Sequence, residues 1–237
     1  MSAMEPFSYD PAILLRFPHL VGAAFLADEL VNGPTPEALR LEFAGEQARI
    51  RQQIGSTPLS EIASLAGWRA AFRLFGVDPT QYRSAAEALL RRLTKKGDIP
   101  SINTVVDCCN LVSIRYALPV AAFDGRAVQE GLTVRFAQGS EFFTTLGEEI
   151  DAHPLPGEVI FTNPAGRVMA RRWCWRQSED SAARADTRRV LCTIEAQHPQ
   201  ARAEVARALA DLQELLQKYA GGNVHLLGLT TLSQEGK

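Results

Sequence analysis

Two short stretches of the sequence carry side chains whose types and spacing could bind a ligand or act on it. One is RRWCWRQ (171–177), which holds three arginines, two tryptophans, a cysteine and a glutamine within seven residues. A planar guanidinium can pair with a carboxylate or a phosphate through two parallel hydrogen bonds. The other is the apolar run INTVVDCCNLVSIRYALP (102–119), whose main polar interruptions are Asn103, Asp107, Asn110 and Arg115.

The run at 102–119 is predicted to be mostly helical and to stop at Pro119. On a helix Asn103, Asp107 and Asn110 lie four and three residues apart, so they share one face. They would form a polar stripe on an otherwise buried element. The alternative is that these side chains cap and brace neighbouring loops, because Asn and Asp commonly bond to local backbone.

Residues 167–175 are predicted to form a strand, in which alternate side chains point to opposite faces. Arg171, Trp173 and Trp175 would share one face, and Arg172, Cys174 and Arg176 the other. Because tryptophan buries a large apolar area, we expect the indoles to pack in the core and Arg172 and Arg176 to face a cleft.

Composition and charge are those of an ordinary folded protein. Of 237 residues, 46% are hydrophobic and 22% are charged, which excludes disordered and fibrous classes. The formal net charge is −2, so a polyanionic partner would have to be bound by a local basic patch. Such patches occur at RRLTKK (91–96), at Arg167 with RRWCWR (171–176), and at Arg184, Arg188 and Arg189. Alternatively, each patch is a solvated face paired with nearby carboxylates.

The four cysteines and four histidines do not form a metal-binding pattern. There is no CxxC pair, so we expect buried or half-buried thiols, with a reactive thiol as the alternative, and no metal or other cofactor. The N-terminal segment lacks the basic stretch and apolar run of a secretory signal, and no apolar stretch reaches the roughly 20 residues needed to span a bilayer. These patterns predict a cytoplasmic protein that does not contact a membrane.

The first third of the chain contains one predicted strand followed by helices. The apolar run at 17–31 suits a buried strand. After the breaker NGPTP (32–36), the apolar spacing over 37–54 is typical of an amphipathic helix. A second helix is expected to start at Ser60 and to be stopped by Gly76.

Two further helices have clear boundaries. Over 84–97, Ser84 is the predicted N-cap, Glu87 follows three residues later as in a capping box, and Gly97 ends the helix. A long helix is predicted over about 200–220, where apolar residues recur at helical spacing.

Short strand-like runs separated by turns follow Pro119. They are VAAFD (120–124), LTVRFA (132–137), EVIFTN (158–163), RVMARRWCW (167–175) and RVLCTIEA (189–196), with VHLLGL (224–229) as a possible edge strand. The predicted fold class is α+β, with a mixed or antiparallel central sheet flanked by helices. We expect one domain over 1–237, with a helical lead-in at about 32–97 wrapped onto one sheet, and a sheet-bearing core at about 98–237.

An ordered series of blocks resembles a known family. The blocks are WRAAFRLFGVDPTQYRSAAEALLRRL (68–93), SINTVVDCCNLVSIRYALPVAAFD (101–124), LTVRFAQGSEFFTTLG (132–147), LPGEVIFTN (155–163), RRWCWRQ (171–177) and DTRRVLCTIEA (186–196). Together they resemble the editing (B3/B4) domain in the beta subunit of bacterial phenylalanyl-tRNA synthetase, and more closely the free-standing proteins built from that domain.

The resemblance implies a pocket that receives the aminoacylated 3′ end of a tRNA. In the synthetase this domain hydrolyses the ester of a wrongly attached amino acid, so a separate chain of this kind is expected to act in trans. Two positions depart from the pattern. Ala121 stands where the synthetase domain has a histidine, and Gln177 aligns with the glutamate that reads the tyrosine hydroxyl. The tyrosine specificity is therefore not carried over.

The expected partner is tRNA and not DNA. Asn103, Asp107 and Asn110 are the predicted catalytic residues, which would hold a water molecule near the ester, assisted by the substrate's own amino group and ribose hydroxyl. The predicted substrate-binding residues are Arg115, Arg172, Trp175, Arg176 and Gln177. Arg172 and Arg176 would pair with phosphates of the CCA end, and the alternative places an indole under the terminal adenine.

The polar helix and the arginine-bearing strand are expected to meet at one pocket. Two other functions stay open. One is a binding module for tRNA 3′ ends without catalysis, and the other is a pocket for an amino acid or a nucleoside.

Overall fold

The computed structural model describes residues 6–147 and 151–231, which form six α-helices and eleven strands. The helices are α1 (Pro11–Arg16), α2 (Glu37–Ile54), α3 (Ala63–Leu74), α4 (Ala85–Lys96), α5 (Thr104–Tyr116) and α6 (Ala201–Tyr219). The strands are β1 (Phe7–Tyr9), β2 (Leu20–Asp28), β3 (Val120–Asp124), β4 (Leu132–Phe136), β5 (Phe143–Thr144), β6 (Asp151–Ala152), β7 (Val159–Thr162), β8 (Val168–Arg171), β9 (Arg176–Gln177), β10 (Val190–Gln197) and β11 (Asn223–Thr231).

The strands divide between two larger sheets and one ribbon. The first sheet has the order β1-β4-β7-β8-β9, the second has the order β11-β2-β10-β3, and β5 pairs with β6. The first sheet is mixed because β1 runs parallel to β4, whereas the pairs of the second sheet are antiparallel. The α+β class is confirmed, but the expectation of one sheet is corrected to two.

Both faces of the second sheet are buried. Along β10, Cys192, Ile194 and Ala196 belong to the apolar cluster formed with α5 and α6. Leu191 belongs to a different cluster, which lies between the two sheets and includes Phe161 of β7. A strand buried on both faces reads as a continuous apolar run, which is the pattern of this segment.

The caps of α4 are those predicted. The Ser84 hydroxyl accepts a hydrogen bond from the Glu87 backbone N–H at 3.3 Å, and Gly97 ends the helix in the left-handed conformation. The Glu87 carboxylate does not return to Ser84 as it would in a capping box. It instead accepts a 2.7 Å hydrogen bond from Arg69, so it links α4 to α3.

The helix predicted from Ser60 begins later than expected. Leu59–Glu61 forms a single 3-10 turn, and α3 starts at Ala63. The predicted boundaries of α2, α5, α6 and the edge strand β11 agree with the structure to within a few residues.

The N-terminal residues complete both sheets. β1 is the edge strand of the first sheet, and β2 lies between β11 and β10 in the second. Gly22 of β2 is required for this arrangement, because a Cβ at this position would lie 2.0 Å from the Tyr9 hydroxyl oxygen. The sheet-bearing region predicted at 98–237 thus takes one strand in each sheet from the first 28 residues. Within the part of the chain that the structure describes, no helix is long and apolar enough to cross a membrane.

Candidate functional site

The segment 172–175 forms a turn, not the predicted continuous strand. β8 ends at Arg171 and β9 begins at Arg176. Arg172 and Trp173 between them have φ angles of +45° and +58°. Left-handed backbone in residues other than glycine costs on the order of 1–3 kcal/mol per residue, so the surrounding packing must hold this turn in place. The alternation that put both tryptophans on one face therefore does not apply.

Trp173 anchors the turn between the two sheets. Its side chain is fully buried and makes edge-on contacts with the rings of Phe17 and Trp68, at centroid distances of 4.8 and 5.1 Å. Its backbone N–H donates to the Val159 carbonyl of β7 at 2.6 Å. The expectation that this indole packs in the core is thereby confirmed for Trp173.

A cavity of about 70 Å³ lies beside this turn, between the two sheets. This volume is several times that needed for one water molecule. β3, β7, β8 and β10 contribute to the lining together with residues 173–177, and most of the lining side chains are apolar. We call this space the inter-sheet cavity.

Glu195 is the one carboxylic acid among the described residues that line the inter-sheet cavity. Its side chain is 2% exposed. The Tyr9 hydroxyl donates to Oε1 at 2.7 Å, and Trp173 Nε1 donates to the same oxygen at 3.0 Å. Oε2 has no donor among the described residues. It is therefore the atom that remains for a ligand or a water molecule.

Burial raises the pKa of Glu195 to about 7, although the two donated hydrogen bonds favour the charged form. Burial and the neighbouring Glu195 raise the pKa of Tyr9 well above its ordinary value, which keeps the hydroxyl protonated as a donor. Glu195 can thus exist in both protonation states near neutral pH, as a general acid or base requires.

Gln177 lines the same cavity and is held by its amide nitrogen. Nε2 donates to the Ala122 carbonyl at 2.9 Å and to the Ser181 carbonyl at 2.8 Å. Because both partners are acceptors, the nitrogen must face them, and Oε1 is left without a partner among the described residues. A glutamate here would place a carboxylate against two carbonyl oxygens, which gives a physical reason for glutamine at this position.

Ala121 and Thr193 face each other on paired strands of the cavity wall. The register of β3 and β10 places them opposite one another, and both line the cavity. The methyl group of Ala121 offers no polar function. Thr193 is 2% exposed, and its hydroxyl makes no side-chain hydrogen bond within the described residues.

Trp175 and Arg176 line the rim of the cavity, and Arg172 lies beside them in the turn without lining it. Arg172 Cζ lies 3.9 Å from the Tyr82 ring centroid and 4.6 Å from that of Trp175, and its guanidinium pairs with Glu158 at 3.3 Å. Burial lowers the pKa of Arg172. Arg176, by contrast, is exposed and contacts the Trp175 ring at 4.7 Å. Arg172 is therefore fixed by protein contacts, whereas Arg176 is accessible.

The polar residues of α5 lie elsewhere. Asn103 is the N-cap of α5, where its side chain accepts from the Val106 N–H and donates to the Ala183 carbonyl. The Asp107 carboxylate accepts from the Ile102 N–H, from the Thr35 hydroxyl and from the Ser101 hydroxyl. Both residues thus do what the alternative interpretation expected, since Asn103 caps α5 and both side chains brace neighbouring loops.

None of Asn103, Asp107 and Asn110 is among the residues that line the inter-sheet cavity. Asn110 is half-buried in α5. β3, the strand that follows α5, lines the cavity, whereas α5 does not. The polar face of α5 and the arginine-bearing segment thus do not meet at this cavity. The catalytic role of the three residues stays a prediction.

Arg115 also lies away from the cavity. Its guanidinium pairs with Glu46 of α2 at 3.1 Å and with Asp211 of α6 at 2.8 Å. These contacts link three helices on the other face of the second sheet. The predicted substrate-binding role of Arg115 likewise stays a prediction.

Two cavity residues, Glu195 and Thr193, were not singled out from the sequence. The segment RVLCTIEA reads as a strand buried on both faces, and in such a strand a carboxylate is unusual. Thr193 and Glu195 are two residues apart and so share a face with Leu191. A charged residue inside a doubly buried strand was the signal that could have found Glu195.

The cysteines are buried or half-buried, as predicted. Burial raises the pKa of Cys174, which lines the cavity, well above its ordinary value, so it is a thiol rather than a thiolate at neutral pH. Among residues 6–147 and 151–231, no group of three histidine, cysteine or acidic side chains could hold a metal ion.

Comparisons with known proteins give a family match and a similar solved structure. A family model described as the B3/4 domain matches residues 67–221. Among solved structures, the chain is similar to an N-terminal fragment of the phenylalanyl-tRNA synthetase beta-subunit from Pyrococcus horikoshii, with a TM-score of 0.48 and 13% identity. The match covers 92% of this chain and 49% of that one, so the chain spans about half the length of the fragment. No curated protein matches.

Proposed function

Because the chain belongs to the B3/4 domain family, we propose that it binds the aminoacylated 3′ end of a tRNA and hydrolyses the ester of mischarged tRNA in trans. The resemblance of its sequence blocks to the editing domain supports this assignment. The observation that carries it is the inter-sheet cavity, in which Glu195 is the one carboxyl group in a largely apolar lining.

Hydrolysis needs few catalytic groups from the protein, because an aminoacyl ester is already activated. Positioning the ester and a water molecule supplies much of the rate, and acid–base help adds typically 10²–10⁴-fold. The ionised Glu195 takes a proton from the water molecule as the water oxygen attacks the acyl carbon. The proton then passes to the ribose oxygen as its bond to the acyl carbon breaks, which yields a free amino acid and a free terminal hydroxyl.

The remaining polar groups of the cavity suit recognition of the aminoacyl group. Gln177 Oε1 can accept a hydrogen bond from the substrate amino group or from a polar side chain, and the Thr193 hydroxyl can donate or accept. Trp175 and Arg176 at the rim can contact the terminal nucleotide through stacking and charge. The predicted roles of Trp175, Arg176 and Gln177 are thus retained in the proposal.

A direct assay tests the proposal. The purified protein is incubated with a panel of mischarged tRNAs, and loss of the ester is compared with loss in buffer. We expect accelerated hydrolysis of at least one member of the panel, with a rate that rises with pH through about 7 as Glu195 ionises. The Glu195→Gln variant should lose about 10²–10⁴-fold in rate while its affinity for uncharged tRNA is unchanged. If no ester is lost faster than in buffer, the catalytic proposal is wrong.

A second candidate function is binding of tRNA 3′ ends without catalysis. It is favoured by Ala121, whose methyl group replaces the histidine of the resembling domain and can neither transfer a proton nor donate a hydrogen bond. This candidate predicts salt-dependent retention of tRNA with no turnover of any ester. Binding of free amino acids or nucleosides, with no tRNA affinity at low salt, would instead favour a small-molecule pocket.

A further inference from the structure

A second hollow, of about 440 Å³, lies along the outer face of α4 and shares Trp175 and Arg176 with the inter-sheet cavity. We call it the α4 groove. Its cationic side chains are Arg83, Arg91, Arg92, Lys95, Lys96 and Arg176. No carboxylate is among the described residues that line it.

The cations lie together because of how α4 packs. Ala86, Leu90 and Leu93 are buried against the helical core, so the opposite face of the helix points outward. Residues three and four apart share a helix face, and Arg91, Arg92, Lys95 and Lys96 follow this spacing and are exposed. A backbone hydrogen bond of 2.7 Å from the Ala85 N–H to the Cys174 carbonyl joins the start of α4 to the turn at 172–175.

Most of these charges lack a counter-charge in the described residues. Arg83 lies 3.8 Å from Glu87, and Arg92 lies 3.6 Å from Asp98. The side chains of Arg91, Lys95, Lys96 and Arg176 have no carboxylate within ion-pair distance in residues 6–147 and 151–231. The usual interpretation of a surface charge run, a solvated face with paired charges, therefore does not describe this groove.

A different arginine-rich hollow on the same protein shows the contrast. There Arg126 pairs with Asp124 and Asp186, each at 2.7 Å, and Arg184 pairs with Glu179. Clustered like charges repel one another, and in that hollow carboxylates offset the repulsion. In the α4 groove, Arg91, Lys95, Lys96 and Arg176 have no such carboxylate within the described part of the chain, and a bound polyanion would offset their repulsion.

We propose that the α4 groove binds the phosphate backbone of a single-stranded RNA segment whose 3′ end enters the inter-sheet cavity. The inference rests on the proposed function and deepens it by naming the surface that holds the strand. The 12 residues of α4 span about 18 Å at 1.5 Å per residue, a length that covers several phosphates of one strand. Trp175 offers an aromatic ring where the groove meets the cavity, and a base can stack on such a ring.

The experiment measures binding of a 12-nucleotide single-stranded RNA ending in CCA, labelled at its 5′ end, by fluorescence anisotropy between 50 and 200 mM salt. The groove variant is Arg91→Gln with Lys95→Gln. The matched control is Arg40→Gln with Lys218→Gln, which removes one arginine and one lysine from exposed ion pairs outside the groove. The competitors are an unlabelled blunt RNA duplex and a polyglutamate peptide of equal charge.

We expect the groove variant to bind the RNA at least about tenfold more weakly than wild type at 50 mM salt. Its salt slope should fall by about 1.4, since each single-strand phosphate contact contributes about 0.7. The control should stay within about twofold of wild type. Equal losses of affinity in the two variants would overturn the inference. The inference would also be overturned if polyglutamate or the duplex displaced the labelled RNA as strongly as the unlabelled single strand does.

A short substrate separates this inference from the proposed function. An aminoacyl ester of adenosine can present its acyl group to the cavity but does not reach along α4. If the protein hydrolyses this ester, the groove variant should do so at the wild-type rate, and a rate reduced more than about threefold would count against a role limited to RNA binding. If no ester is hydrolysed by any variant, the catalytic proposal fails. The RNA-binding comparison still tests whether the α4 groove binds the strand.

Discussion

The inter-sheet cavity and the α4 groove share Trp175 and Arg176 but are built in opposite ways. The cavity is assembled from strands that are far apart in sequence, is largely apolar, and contains a carboxyl group whose pKa is raised by burial. Most of the groove comes from one helix, and its side chains are exposed and cationic. Substitutions in the cavity should therefore affect stability and chemistry together, whereas those in the groove should affect binding alone.

The largest effect is expected for Trp173→Ala in the cavity wall. The substitution removes a fully buried indole, its contacts with Phe17 and Trp68 and its hydrogen bond to Glu195. The free energy of unfolding, measured by denaturant titration, should fall by about 3–5 kcal/mol. Trp175→Ala, in the half-buried neighbour shared with the groove, should cost less than half as much. Equal losses of unfolding free energy in the two variants would mean that the full burial of Trp173 adds nothing to the stability of the cavity wall.

The second prediction concerns pH. The folded-state pKa of Glu195 is raised to about 7 from an ordinary value of 4.5, so the folded state binds more protons than the unfolded state between these values. The resulting contribution to stability, on the order of 3 kcal/mol, is fully present below about pH 4.5 and is lost as pH rises through about 7.

Unfolding measured from pH 4 to 8 checks this prediction. In Glu195→Gln the amide oxygen can still accept from Tyr9 and Trp173, but no proton is exchanged. The difference in unfolding free energy between wild type and this variant should therefore shift in favour of the variant as pH rises. A difference that does not vary with pH would show that Glu195 is not the titrating group.

Gln177→Glu should have the next largest effect. The introduced carboxylate would lose both hydrogen bonds to the Ala122 and Ser181 carbonyls and would lie against those oxygens. A loss of about 1–3 kcal/mol in unfolding free energy is expected at pH 7. Because the folded state raises the pKa of such a carboxyl, the loss should shrink as pH falls and the group is protonated. Gln177→Met, which carries no charge, is the control and should show no such recovery at low pH.

The smallest effect is expected in the groove. Arg91→Gln with Lys95→Gln removes exposed charges that contact no carboxylate in the described residues. The unfolding free energy should stay within about 0.5 kcal/mol of wild type, or increase slightly as repulsion is relieved. A loss of unfolding free energy comparable with that of Gln177→Glu would mean that the groove residues support the fold as the cavity residues do.

Most elements could be predicted because their signals are local. Ser84 and Gly97 bound α4 through contacts within the helix and its caps, and the apolar run of β10 is typical of a strand buried on both faces. The turn at 172–175 could not be predicted, because arginine and tryptophan rarely adopt left-handed backbone. Its conformation depends on the burial of Trp173 against Phe17, which follows α1, and against Trp68 of α3, both distant in sequence.

The candidate site was only partly predictable for the same reason. Trp175, Arg176 and Gln177 were identified as binding candidates, and all three line the cavity. Asn103 and Asp107 were chosen from their helical spacing, which does not distinguish a polar group that faces a cavity from one that braces a loop. Glu195 was missed because its importance depends on Tyr9 and on Trp173, which approach it from different sheet edges.

The sequence by itself determined five of the six helices in the described residues, the capping residues Ser84 and Gly97 of α4, the α+β class, the family, and the run of cations along one face of α4. These properties depend on spacing over a few residues or on the order of blocks along the chain. Only the tertiary structure decided which charges are paired, which acid is buried, and where the cavity lies. Pairing and burial depend on contacts between residues far apart in the chain, because the pKa of a carboxyl and the counter-charge of a guanidinium are set by the neighbours that folding brings to them.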